Sequence, residues 1–133
     1  MGKYRFNELE LPNGGRLGLG CCPGHRLKRP QLLVQRMPGS FKDDLEQIAA
    51  WKADVVLSLM EEPELASVGV PIETLANELN ALGVAWHHLP IFDLQAPDER
   101  FESAWIDLWP RLDALFQRRG RVFVHCYGGL GRA

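Results

Sequence analysis

The sequence has 133 residues, 46% of them hydrophobic and 24% charged, with a net charge of -2. That length makes a single domain with a core of its own, and the slightly acidic balance lacks the basic footprint of a nucleic-acid binder. No apolar run approaches the roughly 20 residues that cross a bilayer, Met1 to Glu10 lacks the apolar heart of a signal peptide, and Cys21, Cys22 and Cys126 form an odd set unsuited to a disulfide framework. The expectation is a cytoplasmic protein whose partners include neither nucleic acid nor membrane.

In chain order, hydrophobic runs alternate between strand and helix character, which predicts an α/β domain. A strand is expected over Arg16 to Cys21, ended by Pro23-Gly24 and followed by a loop rich in Arg, Pro and Gln. Ser40 reads as a helix N-cap, with Asp43 completing a capping-box-like pattern. Behind it Phe41, Leu45, Ile48 and Ala49 make an apolar stripe. The run Val55-Val56-Leu57 within Asp54 to Leu59 suits a strand covered on both faces. Pro71 opens another helix at its first position, with Ile72, Leu75, Ala76, Leu79 and Leu82 on its inner face and Gly83 closing it. Val84 to Leu89 is the next strand. A loop through Ile91 to Pro97 leads to a long helix with the stripe Phe101, Trp105, Leu108, Trp109, Leu112, Leu115 and Phe116, which Pro110 is expected to kink or split. After Gly120, Arg121 to His125 forms the last strand. Four strands joined through helices predict a mainly parallel sheet flanked by helices, with the site outside the carboxyl ends of the strands.

That last strand delivers His125-Cys126-Tyr127-Gly128-Gly129-Leu130-Gly131-Arg132. The glycines let the backbone N–H groups of Tyr127, Gly128, Gly129, Leu130 and Gly131 turn inward as a nest for a tetrahedral oxyanion. Arg132 adds a planar fork for two phosphate oxygens. Such a ring of donors lowers the pKa of a cysteine, so Cys126 is expected as a thiolate that attacks phosphorus. A leaving oxygen needs a proton, and the upstream loop offers Asp93 and Asp98. Asp93 is preferred because it follows a strand expected to neighbour that of Cys126, whereas Asp98 suits a helix N-cap. His125 is expected to shape the loop through its ring. His87 and His88 point to opposite faces of a strand and cannot chelate one ion together. Cys21 and Cys22 read as small buried residues at a strand end, and the four tryptophans as core.

On the residues His125 to Arg132, together with His87-His88-Leu89-Pro90-Ile91-Phe92-Asp93, the chain resembles the dual-specificity protein tyrosine phosphatases, within them the kinase-associated phosphatase group. The resemblance runs from about Arg16 onward. It implies Cys126 as nucleophile, Arg132 as phosphate-binding arginine, Asp93 as general acid, and no metal or organic cofactor. It also implies a phosphorylated protein or small aryl phosphate as partner, since the loop lacks the basic residues of phosphoinositide phosphatases. Two departures qualify this. Ala133 stands where the family has Ser or Thr, whose hydroxyl helps the thiol-phosphate intermediate break down. The family domain also continues into further helices, so residues 1–133 are expected to be a single, incomplete domain of weak or no turnover, with Arg132 frayed and the Ala133 carboxylate beside the anion site. The competing readings are a non-catalytic phosphate-binding module and a sulfurtransferase, the latter disfavoured because it needs no acid loop.

Overall fold

The computed structural model describes residues 4, 6–12, 14–28, 33–36, 40–89 and 99–126. Its strands are β1 (Asn7–Glu10), β2 (Arg16–Gly20), β3 (His25–Lys28), β4 (Leu33–Arg36), β5 (Val55–Ser58), β6 (Ala85–His88) and β7 (Arg121–His125). The helices are α1 (Phe41–Ala50), α2 (Glu62–Ser67), α3 (Ile72–Ala81) and α4 (Glu99–Gln117). Five strands form one sheet in the order β1-β2-β7-β5-β6. The pairs β2–β7, β7–β5 and β5–β6 are parallel, and β1 joins the edge antiparallel to β2. Parallel neighbours need crossover connections, and α1, α2, α3 and α4 lie in them. The expected α/β architecture with a mainly parallel, helix-flanked sheet is therefore the one observed, and β7 lies at its centre.

Alternation along β7 sorts the core into two layers. Phe123 faces Leu45 and Ile48 of α1, Leu65 of α2, and Leu75 and Leu79 of α3. Val122 and Val124 face Leu108, Leu112 and Phe116 of α4, with Leu57 of β5 and Leu17 and Leu19 of β2. Strand β2 reads Arg-Leu-Gly-Leu-Gly because its two faces have different neighbours. A Cβ on Gly18 would stand 2.8 Å from Phe123, and one on Gly20 2.7 Å from the Tyr4 hydroxyl and 2.8 Å from Phe123. The missing side chains make the slot that the Phe123 ring fills. Phe6 meets Phe123 edge-on at 5.0 Å and Trp51 at 5.4 Å, closing an aromatic cluster over that slot.

Several local expectations change. The stretch after Gly24, expected as loop, carries the antiparallel hairpin β3–β4. Its polar composition concealed it, because polarity marks exposure rather than conformation. Helix α2 was also missed; its capping box uses Glu61 and Glu64. Ser40 is at the start of α1 but already has helical geometry (φ -94, ψ -7) and makes no side-chain cap. Its hydroxyl instead donates to the buried Asp44 carboxylate at 3.4 Å. Pro71 is the N-cap of α3 and not its first residue. Leu82 and Trp109 are exposed and leave the predicted stripes. Pro110 does not split α4. It and Ile106, whose carbonyl loses a donor to the proline, both lie on the solvent side, where water can substitute.

Candidate active site

The parallel strands end together, and their carboxyl ends form the site. Gly20 of β2 and Ser58 of β5 flank His125 of β7, and His88 of β6 pairs with Ser58. The ladder runs one step further, since Leu59 N–H donates to His125 O at 3.1 Å and Leu89 N–H to Ser58 O at 2.9 Å. The next residue of each strand is thereby fixed at one edge: Cys21, Cys126, Leu59 and Leu89. Cys126 is 2% exposed.

A buried hydrogen-bond chain crosses beneath Cys126. Trp86 Nε1–H donates to Ser58 Oγ at 2.8 Å, Ser58 Oγ and His125 Nε2 are 2.6 Å apart, and His125 Nδ1 lies 3.4 Å from the Cys126 carbonyl oxygen. One tautomer satisfies every group. Nδ1 faces a carbonyl and so carries the proton, leaving Nε2 to accept from the Ser58 hydroxyl, which accepts in turn from Trp86. Ser58 and His125 are fully buried, where an unsatisfied polar group is costly. The chain therefore fixes the His125 ring and, through it, the carbonyl of Cys126. His88 stacks on Trp86 with centroids 5.7 Å apart, and its Nε2 meets the Met60 carbonyl at 2.6 Å.

On the other flank, the segment leaving β2 is pinned twice. Tyr4 Oη donates to the Cys21 carbonyl at 2.6 Å. Gly24 N–H donates at 2.6 Å to Oδ2 of Asp44, whose carboxylate has no solvent exposure and accepts the bond. Cys21 and Cys22 are buried, as small residues at the end of β2. Burial first, then the neighbouring Cys21 and Cys126 thiols and the Glu64 and Asp44 carboxylates, pushes the Cys22 thiol far up. Cys22 stays protonated at neutral pH, the form in which a thiol is a poor nucleophile.

Of the residues singled out in the sequence, His125 and Cys126 are brought together here. Tyr127, Gly128, Gly129, Leu130, Gly131 and Arg132, and likewise Ala133, Asp93 and Asp98, lie outside the described residues. One expectation about Asp93 is corrected. The strand leading to its loop, β6, is not a neighbour of β7, because β5 lies between them. That places the two strands about 10 Å apart. His87 and His88 do diverge: His87 pairs with Leu57 and His88 with Ser58. Burial and the Arg111 charge hold the His87 imidazole below its ordinary value. Among the described residues no group of three His, Cys, Asp or Glu side chains could hold a metal ion. The supporting residues Ser58, Tyr4 and Asp44 were not singled out. Their one sequence signal was a polar residue ending or flanking an apolar run, which is too common to be informative.

Residues 33–133 match the family described as polymorphic toxin system, DSP-PTPase phosphatase. The chain belongs to this dual-specificity phosphatase family. It is similar to cyclin-dependent kinase inhibitor 3 of Sus scrofa and of Mus musculus, 29% identical over 117 residues in each case, covering 88% of this chain and 50% of each relative. The chain thus spans about half the length of the curated relatives it matches. Among solved structures, kinase-associated phosphatase with its catalytic-site cysteine substituted by serine superposes with a TM-score of 0.76 at 24% identity, covering 98% of this chain and 68% of that one. The active form of Tk-PTP gives 0.59 at 24% identity, covering 89% and 61%. These likenesses show that the fold is shared.

Proposed function

We propose that the chain is a phosphomonoesterase that works through a cysteinyl-phosphate. The observation that carries this is the placing of Cys126, buried at the carboxyl end of the central strand and fixed through His125, in a chain of the dual-specificity phosphatase family. The Cys126 thiolate attacks phosphorus while the nest from Tyr127 to Gly131 and the Arg132 guanidinium hold the phosphate oxygens. The bond from phosphorus to the leaving oxygen breaks, and Asp93 supplies that oxygen with its proton. Water then cleaves the phosphorus–sulfur bond, releasing inorganic phosphate and the thiolate.

The substrates proposed are phosphotyrosine and phosphoserine or phosphothreonine in proteins, or small aryl phosphates. Neither nucleic acid nor membrane is among the proposed partners. A reducing, cytoplasmic setting suits a reaction whose nucleophile is a thiolate. No described helix is long and apolar enough to cross a membrane. Turnover by residues 1–133 is proposed to be weak, because Ala133 offers no hydroxyl to assist breakdown of the intermediate.

The test is hydrolysis of an aryl phosphate by the purified chain. A burst followed by a slow steady state is expected, with both lost in Cys126→Ser and the steady state raised in Ala133→Ser. Turnover that survives Cys126→Ser would overturn the mechanism. Phosphate binding without any burst would mark the non-catalytic reading instead.

A further inference from the structure

The opposite end of the same strands carries a second concentration of charge. A cleft of about 500 Å³ opens at the amino ends of β2 and β7, lined by Glu10, Pro12, Gly14, Arg16, Arg119 and Arg121. Arg16 and Arg121 are direct cross-strand partners in the parallel register. Like charges so placed repel, and in an acidic chain the three arginines lining this cleft outnumber Glu10 of its lining and the Glu8 paired with Arg16.

The arginines differ in what already occupies them. Arg16 is bound to Glu8 at 2.6 Å. Arg121 donates from Nη1 to the Trp51 carbonyl at 2.9 Å and lies 5.3 Å over the Trp51 ring, which fixes its position. After the Arg16 hydrogen bond, its charge, with that of Arg16, helps hold the Glu8 carboxyl below its ordinary value. Arg119 has no ion pair among the described residues. It also sits at φ 60, a left-handed conformation that favours glycine and is strained for a long side chain. A cation near the end of α4 complements the helix dipole, but the Arg119 side chain runs elsewhere. It crosses the turn before β2, where a Cβ on Gly14 would meet its Cγ at 3.0 Å and its Cδ and Nε at 3.2 Å. Glycine at position 14, itself at φ 91, therefore leaves the room through which the Arg119 guanidinium reaches the cleft.

We propose that this cleft is an oxyanion site for a phosphate monoester dianion, held by the guanidinium groups of Arg119 and Arg121. The planar forks of two arginines suit the oxygens of one phosphate, and the cleft volume leaves space for the group that carries it. The site is about 16 Å from Cys126 along β7, too far for both to engage one phosphate. It does not depend on the catalytic reading.

The experiment uses the Arg132→Ala chain, which silences the Cys126 loop, and follows the arginine Nε–Hε NMR signals at constant ionic strength. Inorganic phosphate and a phosphoserine peptide are titrated separately, with sodium chloride as control. The expected result is a saturable shift of the Arg119 and Arg121 signals by phosphate, the peptide or both. Arg119→Gly should weaken it at least about tenfold, the loss of one charge-assisted hydrogen bond. Glycine suits the left-handed position, so that variant keeps its fold. Binding of the peptide alone assigns the phosphate to a phosphorylated residue, and equal binding of both assigns it to the phosphate group itself. No saturable shift, a shift that chloride reproduces, or one that Arg119→Gly leaves intact would overturn the proposal.

Discussion

At its amino end β7 begins with Arg121, opposite Arg16 and beside an open, charged cleft; at its carboxyl end it runs into His125 and Cys126, both buried. The same five-residue strand thus links two kinds of polar environment. At the open end the charges are screened by water, and each is worth little to the fold. At the closed end every polar group must be matched, so Trp86, Ser58, His125 and the Cys126 carbonyl form a connected chain. The difference teaches where precision resides. Cys126 is positioned by satisfied hydrogen bonds inside the protein, and the basic cleft is lined by arginines at its surface, of which Arg16 is paired with Glu8.

The largest effect expected is on the strand that joins the two ends. Phe123 has no exposed surface and fills the slot over Gly18 and Gly20. Phe123→Ala should destabilise the fold by about 3–5 kcal/mol, measured by denaturant unfolding. A loss below about 1 kcal/mol would mean that the slot collapses or that β7 is not the keystone.

Next comes the closed end alone. Ser58→Ala leaves Trp86 Nε1 and His125 Nε2 without their partner and should cost about 1–3 kcal/mol. It should also lower kcat for an aryl phosphate several-fold with KM little changed, because the Cys126 carbonyl loses its anchor. Loss of stability with unchanged kcat would reduce the chain to a packing feature.

The smallest effect concerns pH. His87 takes its proton below the ordinary value of 6.5 in the folded chain because of burial and the Arg111 charge. As pH falls through that ordinary value the unfolded chain binds the proton first, so stability is full above it and declines toward the folded pKa. Between about pH 8 and about pH 5, His87→Gln should therefore lose less stability than the parent chain. Equal losses would show that His87 is not desolvated.

Much of this was legible because periodicity reports burial. Strand β7 was bounded at Arg121 and His125 from the sequence, and the inner residues of α1 and α3 from their 3.6-residue spacing. The Cys126 motif identified the family. What stayed hidden depended on long-range placement. Nothing local in Ser58 announces a partner 67 residues away in His125, and strand order is not encoded in a β-α-β succession, which is how β5 came to separate β6 from β7. Alternating glycines in Gly18 and Gly20 were visible, but their meaning required knowing that Phe123 lies alongside. The basic cleft escaped for the same reason, since Arg16 and Arg121 meet only across the sheet.

The central claim is that Cys126 carries the phosphoryl group, and the most direct measurement is an acid quench of the chain during aryl-phosphate turnover, followed by mass spectrometry of its peptides. The account predicts one added phosphoryl group on the peptide containing Cys126, none on those containing Cys21 and Cys22, and none anywhere in Cys126→Ser. A phosphoryl group on another residue, or turnover with no trapped adduct in the Ala133 parent chain, would contradict it.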